Sequence, residues 1–277
     1  MRENIIRHLL IGSLAFCFLC LLNTNGCAQD TFYFKKGLIA EVGSLYGREA
    51  LYTDPLAWKL YHHQLRSPQH GDVFGSDAKG GNILWQALEA DSLHRFHPWG
   101  RGRNGYGRVS AYLYLAYISE KSRTALLNIS GDAGFFFNGV PHAGDPYSSG
   151  WLYIPIMLKK GLNEIFVRPS GRVMARLLFP VKDVQLNIED PTLPVIETGG
   201  MGNDSLLGAV VVINSSSRDL HNYRISAEVG GRKTDSPVPV VPAMSCRKVP
   251  FVFDASMLRS KGRYKGSLVL MNKGRTV

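Results

Sequence analysis

Two glycine-rich stretches carry the residue types in this chain best suited to chemistry. The first, residues 97–108 (HPWGRGRNGYGR), gathers Trp99, Arg101, Arg103, Tyr106 and Arg108. Arginine forks take carboxylates in bidentate hydrogen bonds, and flat indole and phenol faces stack on pyranose rings. That combination suits a glycan, an acidic one above all. The second, residues 144–151 (GDPYSSGW), adds Asp145 as an acceptor and Tyr147 and Trp151 as aromatic surface. Each stretch also has a plain architectural reading. In it Trp99 packs on the sheet beneath, Trp151 starts a strand and turns inward, and Asp145 caps its own turn by accepting backbone amides.

Several better-known chemistries are excluded by context. Gly100, Gly102 and Gly105 match GxGxxG, but that motif needs a strand before it and a helix after it, so that a phosphate meets a helix N-terminus. Here His-Pro-Trp precedes it and a period-two stretch follows. There is no GxSxG elbow, and the SxxK at Ser76–Lys79 lacks its SDN and KTG companions. His62, His63, His70, His94 and His97 have neither cysteine partners nor an HExxH frame, so zinc is not expected. Asp132 and Asp145, with nearby carbonyls, offer a structural calcium site, but no dense Asp/Asn loop supports it, and no cofactor is expected. Carboxylates are plentiful, yet no two stand out as a glycosidase pair. The chain is expected to be non-catalytic, with a small glycan-active enzyme as the less favoured alternative.

The N-terminus has the pattern of an export signal. Arg2 and Arg7 precede an apolar run at 9–22, which is too short for a spanning helix, and small residues at Gly26 and Ala28 suit cleavage after Ala28. Lipid attachment at Cys27 is the minority reading, because Thr24 stands where leucine is usual. The expected location is periplasmic, cell-surface or secreted. No later segment is apolar enough to span a bilayer, and Cys246 is the one cysteine clearly beyond the signal, so no internal disulfide is expected. The net charge of +10 is spread over both halves. Spread charge of this kind does not form the clustered footprint of a nucleic-acid protein.

The elements that must hold these loops read as strands. Leu113 and Leu115 alternate with Tyr112 and Tyr114 across 109–119, the two-residue period of a strand. Further strands are expected near 31–34, 83–90, 125–129, 135–137 and 173–179. Asn138-Gly139 is a two-residue hairpin signal, because both central positions of a type I′ turn need positive φ. Gly161 is read as a second such hairpin, joining 152–160 to 162–168. Asp54 and Pro55 mark a helix start running to about Leu65, and 71–81 reads as loop. After a boundary near 181–194, strands recur at 184–188, 206–214, 223–229, 248–254 and 266–272, with 230–237 read as turn. The fold class is therefore all-β: a jelly-roll sandwich at 29–183 after a signal at 1–28, then a smaller Ig-like sandwich at 184–277. That second sandwich ends as its returning strand begins at Arg275, so the chain is expected to be the opening part of a longer protein.

These blocks resemble known modules. The stretch 110–139 and the hairpin PIMLKKGLNEIFVR at 155–168 look like the galactose-binding-like, sugar-binding domains of family-2 glycosidases. The order DPLAWKL, GNILWQALEADS, GYGRVSAYLYLAYIS, FFNGVPHAGDPYSSGW and LKKGLNEIFVR is similar to the N-terminal accessory region of exported bacterial α/β-hydrolase or prolyl-oligopeptidase-like proteins. The resemblance covers about residues 50–277. It implies a carbohydrate-binding accessory region with a catalytic domain following, and a glycan as partner. It carries no catalytic residue onto this chain. The alternative is a structural or protein-interaction module that uses its sandwich edges.

Overall fold

The computed structural model describes residues 30–43, 54–65, 67–77, 79–98, 110–194, 205–258 and 264–277. Among these residues there is one helix, and the rest of the regular structure is strand. The first part holds β1 (Asp30–Tyr33), β2 (Lys36–Gly43), α1 (Pro55–Tyr61), β3 (Val73–Ser76), β4 (Asn82–Leu84), β5 (Gln86–Glu89), β6 (Arg95–Phe96), β7 (Ser110–Ser119), β8 (Arg123–Phe137), β9 (Val140–Ala143), β10 (Ile154–Leu158) and β11 (Gly161–Phe179). The second part holds β12 (Val184–Thr192), β13 (Ser205–Asn214), β14 (Tyr223–Val229), β15 (Arg232–Pro237), β16 (Ser245–Asp254), β17 (Gly266–Asn272) and β18 (Arg275–Thr276).

β8 and β11 organise the first part, because each runs through both halves of its nine-stranded sheet. The first half of β11 pairs with β7 and with the second half of β8; β7 continues to β2 and β5, and β8 to β9. The second half of β11 pairs with β1, β6 and the first half of β8, which in turn pairs with β10. The crossover happens at bulges, with register shifts at Arg168/Pro169 and Pro169/Met174. Bulges bend a strand and sharpen its twist, which lets one long strand pass from one half of the sheet to the other. Opposite the bulge, Gly131 sits at φ 79, and a Cβ there would lie 1.9 Å from the carbonyl oxygen of Arg172, so only glycine fits.

Alternation fills the space between the layers. Leu113 and Leu115, Ile165 and Val167, and Phe135 and Phe137 come from one layer; Leu127 and Ile129, Ile156 and Leu158, and Val173, Ala175 and Leu177 come from the other, and all are buried. Tyr112 and Tyr114 of β7 point away from this core, yet they are buried too. Tyr112, Tyr114 and Phe166 lie under a roof made by Leu56 of α1, Phe74 of β3 and Trp85. Asp54 caps α1, its Oδ1 accepting the Leu56 amide at 3.0 Å, with Pro55 at the first helical position. The helix ends at Tyr61, earlier than its apolar pattern predicts, because His63 turns into the left-handed region at φ 54.

The second part is a smaller sandwich. A three-stranded sheet in the order β12-β13-β16 faces a four-stranded sheet in the order β15-β14-β17-β18. Val210, Val212, Ile225, Ala227, Val249 and Phe251 fill its core. The fold is all-β, a jelly-roll sandwich followed by an Ig-like one.

Three local expectations are corrected. Residues 71–81 are not all loop, since β3 pairs with β4 there and buries Phe74. Residues 230–237 are not only a turn: β15 pairs with β14 along Arg232–Pro237. The Gly161 turn has the expected positive φ of 91, but the strands it separates are not neighbours. β10 lies at the sheet edge against β8, while Gly161 itself pairs with Ser119 of β7. Pro155 has no amide to give a second ladder, and an edge is where a sheet tolerates it.

Candidate functional site

The loop at 144–151 grows out of the β8–β9 hairpin. Asn138 (φ 47) and Gly139 (φ 85) make the type I′ turn, which is held by the Glu164 amide donating to Asn138 Oδ1 at 3.0 Å. β9 returns along β8 to Ala143, and Gly144 then crosses so close that a Cβ would stand 2.3 Å from the Gly134 nitrogen.

Asp145 holds the loop that follows. It is buried, and its carboxylate is committed on both oxygens. Oδ1 accepts the Ser149 amide at 3.1 Å and the Ser149 hydroxyl at 2.9 Å, and Oδ2 accepts the Gly150 amide at 2.6 Å. Its carbonyl accepts the Gly131 amide at 3.1 Å and the Ser148 amide at 3.0 Å. Its own amide donates to Oδ1 of Asp132 at 3.1 Å. Asp132 is 0 % exposed, and its Oδ2 is buried without a hydrogen-bond partner. Burial raises the Asp132 pKa to about 6; the Asp145 amide opposes that rise, and the nearby Asp145 charge adds to it.

This bracing turns the aromatic side chains out. Tyr147 is 94 % exposed and Trp151 48 %. Trp151 does not pack inward as a strand residue, because β10 begins only at Ile154. The backbone around Trp151 is gripped from two sides. Asn128 Nδ2 donates to the carbonyls of Gly150 at 2.9 Å and Leu152 at 2.8 Å, and Asn187 Nδ2 of β12 donates to the carbonyl of Trp151 at 2.8 Å. Beside them, Arg176 donates to Asn128 Oδ1 at 2.8 Å, to the Tyr153 hydroxyl at 2.8 Å and to the Tyr33 hydroxyl at 3.3 Å. Tyr153 in turn donates to Glu189 Oε2 at 2.5 Å. Burial, reinforced by the Glu189 carboxylate, pushes the Tyr153 phenol above the usual range.

Of the residues singled out from sequence, Asp145, Tyr147 and Trp151 fall in this one loop. Trp99, Arg101, Arg103 and Tyr106 lie outside the described residues. The strands flanking that segment reach the same rim: Phe96 of β6 pairs with Val173, next to the Arg172 carbonyl at Gly131, and β7 starts beyond its pairing of Leu113 with Val167. Another arginine of this rim, Arg168, is bound to Asp54 at 3.1 Å, and Asp54 also accepts from the Tyr112 hydroxyl. Asn128, Asn187, Tyr153 and Arg176 were missed in the sequence. Their signal was a polar residue in the middle of an apolar strand run, as in LLNIS and VQLNI.

Asp132 and Asp145 are closed off from solvent at 0 % and 5 % exposure, so they do not reach a bound sugar as acid and base. Among the described residues no group of three or more His, Cys, Asp or Glu is placed to share a metal ion. Among them, too, no helix is long and apolar enough to cross a membrane.

No protein-family model matches the chain, and no curated protein matches it. Among solved structures it is similar to a GH2 β-galacturonidase from Eisenbergiella tayi (13 % identity, TM-score 0.35, covering 90 % of this chain and 41 % of that one). It is also similar to a β-D-mannosidase from Dictyoglomus thermophilum (12 %, TM-score 0.35, 90 % and 35 %) and a β-glucuronidase from Bacteroides uniformis (10 %, TM-score 0.37, 90 % and 31 %). The chain thus spans well under half the length of these structures. At such identities and TM-scores they assign it no substrate, activity or partner. None of the three is an α/β-hydrolase or prolyl-oligopeptidase-like protein, so that comparison from sequence gains no support.

Proposed function

We propose that the chain is a non-catalytic, glycan-binding accessory region of an exported multidomain hydrolase, with the loop at 144–151 as its recognition surface. The observation that supports this most is the pairing of exposure with rigidity. Tyr147 and Trp151 are large, apolar and largely in solvent, while Asp145, Asn128 and Asn187 fix the backbone that carries them. Rigid aromatic platforms lose little entropy when a sugar ring settles on them. Trp99, Arg101, Arg103 and Tyr106 would extend recognition toward acidic glycans, because arginine forks take carboxylates in bidentate hydrogen bonds. Export through the 1–28 signal and a catalytic domain following in a longer chain complete the proposal.

A pull-down on insoluble neutral and acidic polysaccharides tests it. Trp151→Ala and Tyr147→Ala are each expected to weaken retention about tenfold, the loss of a stacked ring worth about 1.4 kcal/mol. Arg103→Ala is expected to act on acidic polysaccharides only. No retention of the wild type on any of them, or retention untouched by the Trp151 and Tyr147 substitutions together, overturns the proposal.

A further inference from the structure

We infer that the second sandwich is part of the recognition machinery: Asn187 is a positioning residue that sets how Trp151 is presented. This rests on reading the 144–151 loop as the binding surface. Residues 150–153 lie between the two sandwiches. From one side Asn128 of β8 takes the carbonyls of Gly150 and Leu152. From the other, Asn187 of β12 takes the carbonyl between them, that of Trp151, at 2.8 Å. Three consecutive carbonyls are thereby held by two side-chain amides from different sandwiches, and the backbone that carries the Trp151 indole is fixed by both.

Asn187 is built for this task. It is 6 % exposed, and its Oδ1 accepts the Glu189 amide at 3.0 Å, which fixes the rotamer that aims Nδ2 at Trp151. Glu189, two residues on, takes the hydroxyl of Tyr153, two residues past Trp151. The contact is sealed by apolar packing of Leu126, Tyr153 and Leu178 against Ile213. Any shift of the second sandwich therefore moves the Trp151 carbonyl or breaks a buried hydrogen bond. By linkage, a ligand seated on Trp151 also favours the docked arrangement of the two sandwiches.

The test uses Asn187→Asp in the full chain. It keeps the shape and the acceptor for the Glu189 amide, but sets a carboxylate oxygen against the Trp151 carbonyl. Each protein is paired with its Trp151→Phe twin, so that the difference signal reports Trp151 alone. Acrylamide quenching of Trp151 is expected to rise about twofold, and polysaccharide affinity to fall about fivefold, the scale of one lost hydrogen bond. Should Asn187→Asp fail to fold, Asn187→Ala carries the same comparison. Unchanged quenching overturns the inference, as does changed quenching with unchanged affinity. If quenching rises while the wild type retains no polysaccharide, the brace stands and the glycan reading falls.

Discussion

Asp132 should make the protein less stable as pH rises, the reverse of an ordinary aspartate. Its carboxyl is fully buried beneath the loop, one oxygen has no partner, and its pKa is raised from 3.8 to about 6. In the unfolded chain it titrates near its ordinary value. Between about pH 4 and pH 6 the native state therefore binds the extra proton, and stability falls with pH across that window. The stabilisation is fully present below the unfolded value and lost as pH rises through about 6. A shift of about two pH units corresponds to about 3 kcal/mol. Asp91 and Asp254 have lowered values, so their contributions are lost only at more acidic pH and do not obscure the window. The perturbation is Asp132→Asn, neutral at every pH and nearly the same shape. Urea denaturation of both proteins at half-unit steps from pH 4 to 7 gives the difference directly. The wild type should lose about 2.5 kcal/mol relative to the variant over that span, since part of the effect lies below pH 4. Parallel profiles, or a carbon-NMR titration of Asp132 with its midpoint below 4.5, would refute the reasoning.

Two further outcomes follow from the same rim. Gly131→Ala forces a Cβ against the Arg172 carbonyl at a φ of 79, so it should cost more than about 3 kcal/mol; a loss under about 1 kcal/mol in a denaturation midpoint would mean that β8 and β11 do not approach as described. Arg176→Ala strips the partners from Asn128, Tyr33 and Tyr153 and should lower stability by about 2–3 kcal/mol; a cycle with Tyr153→Phe should show coupling of about 1 kcal/mol, and strict additivity would place the two groups out of contact.

What the sequence revealed was local. The Asp54-Pro55 cap, the Asn138-Gly139 turn and the alternation of Leu113 and Leu115 with the neighbouring tyrosines each depend on residues within a few positions, and each pattern has its counterpart in the structure. What it hid depends on distant partners. The segments 125–129 and 135–137 read as two strands because Gly131 and Gly134 look like breaks, yet β8 runs through both. Pro169 and Gly171 likewise read as a strand end, where β11 instead bulges and runs on into the other half of the sheet. β15 escapes because RKTDSP is an exposed, charged edge with only Ser236 buried, the dress that sheets use to discourage further pairing. The site divides in the same way. Asp145, Tyr147 and Trp151 stand together in sequence, whereas Asn187, which lies 36 positions from Trp151, belongs to the site only because the two sandwiches meet.

That meeting also bears on why the proposed recognition surface is a rim. A β-sandwich has two outer faces that are natural binding platforms. In the first sandwich one face carries Tyr112, Tyr114 and Phe166, and α1 with Phe74 and Trp85 covers them. The other carries Leu126 and Leu178, which Ile213 of the second sandwich covers. These groups are thus spent on stability, while Ile118 and Met157 remain exposed. Tyr147 and Trp151, by contrast, sit on a loop whose backbone polar groups are satisfied by Asp145, Asn128 and Asn187. Side chains left exposed on a backbone fixed so thoroughly are not needed to hold it, and the proposed glycan contact rests on that.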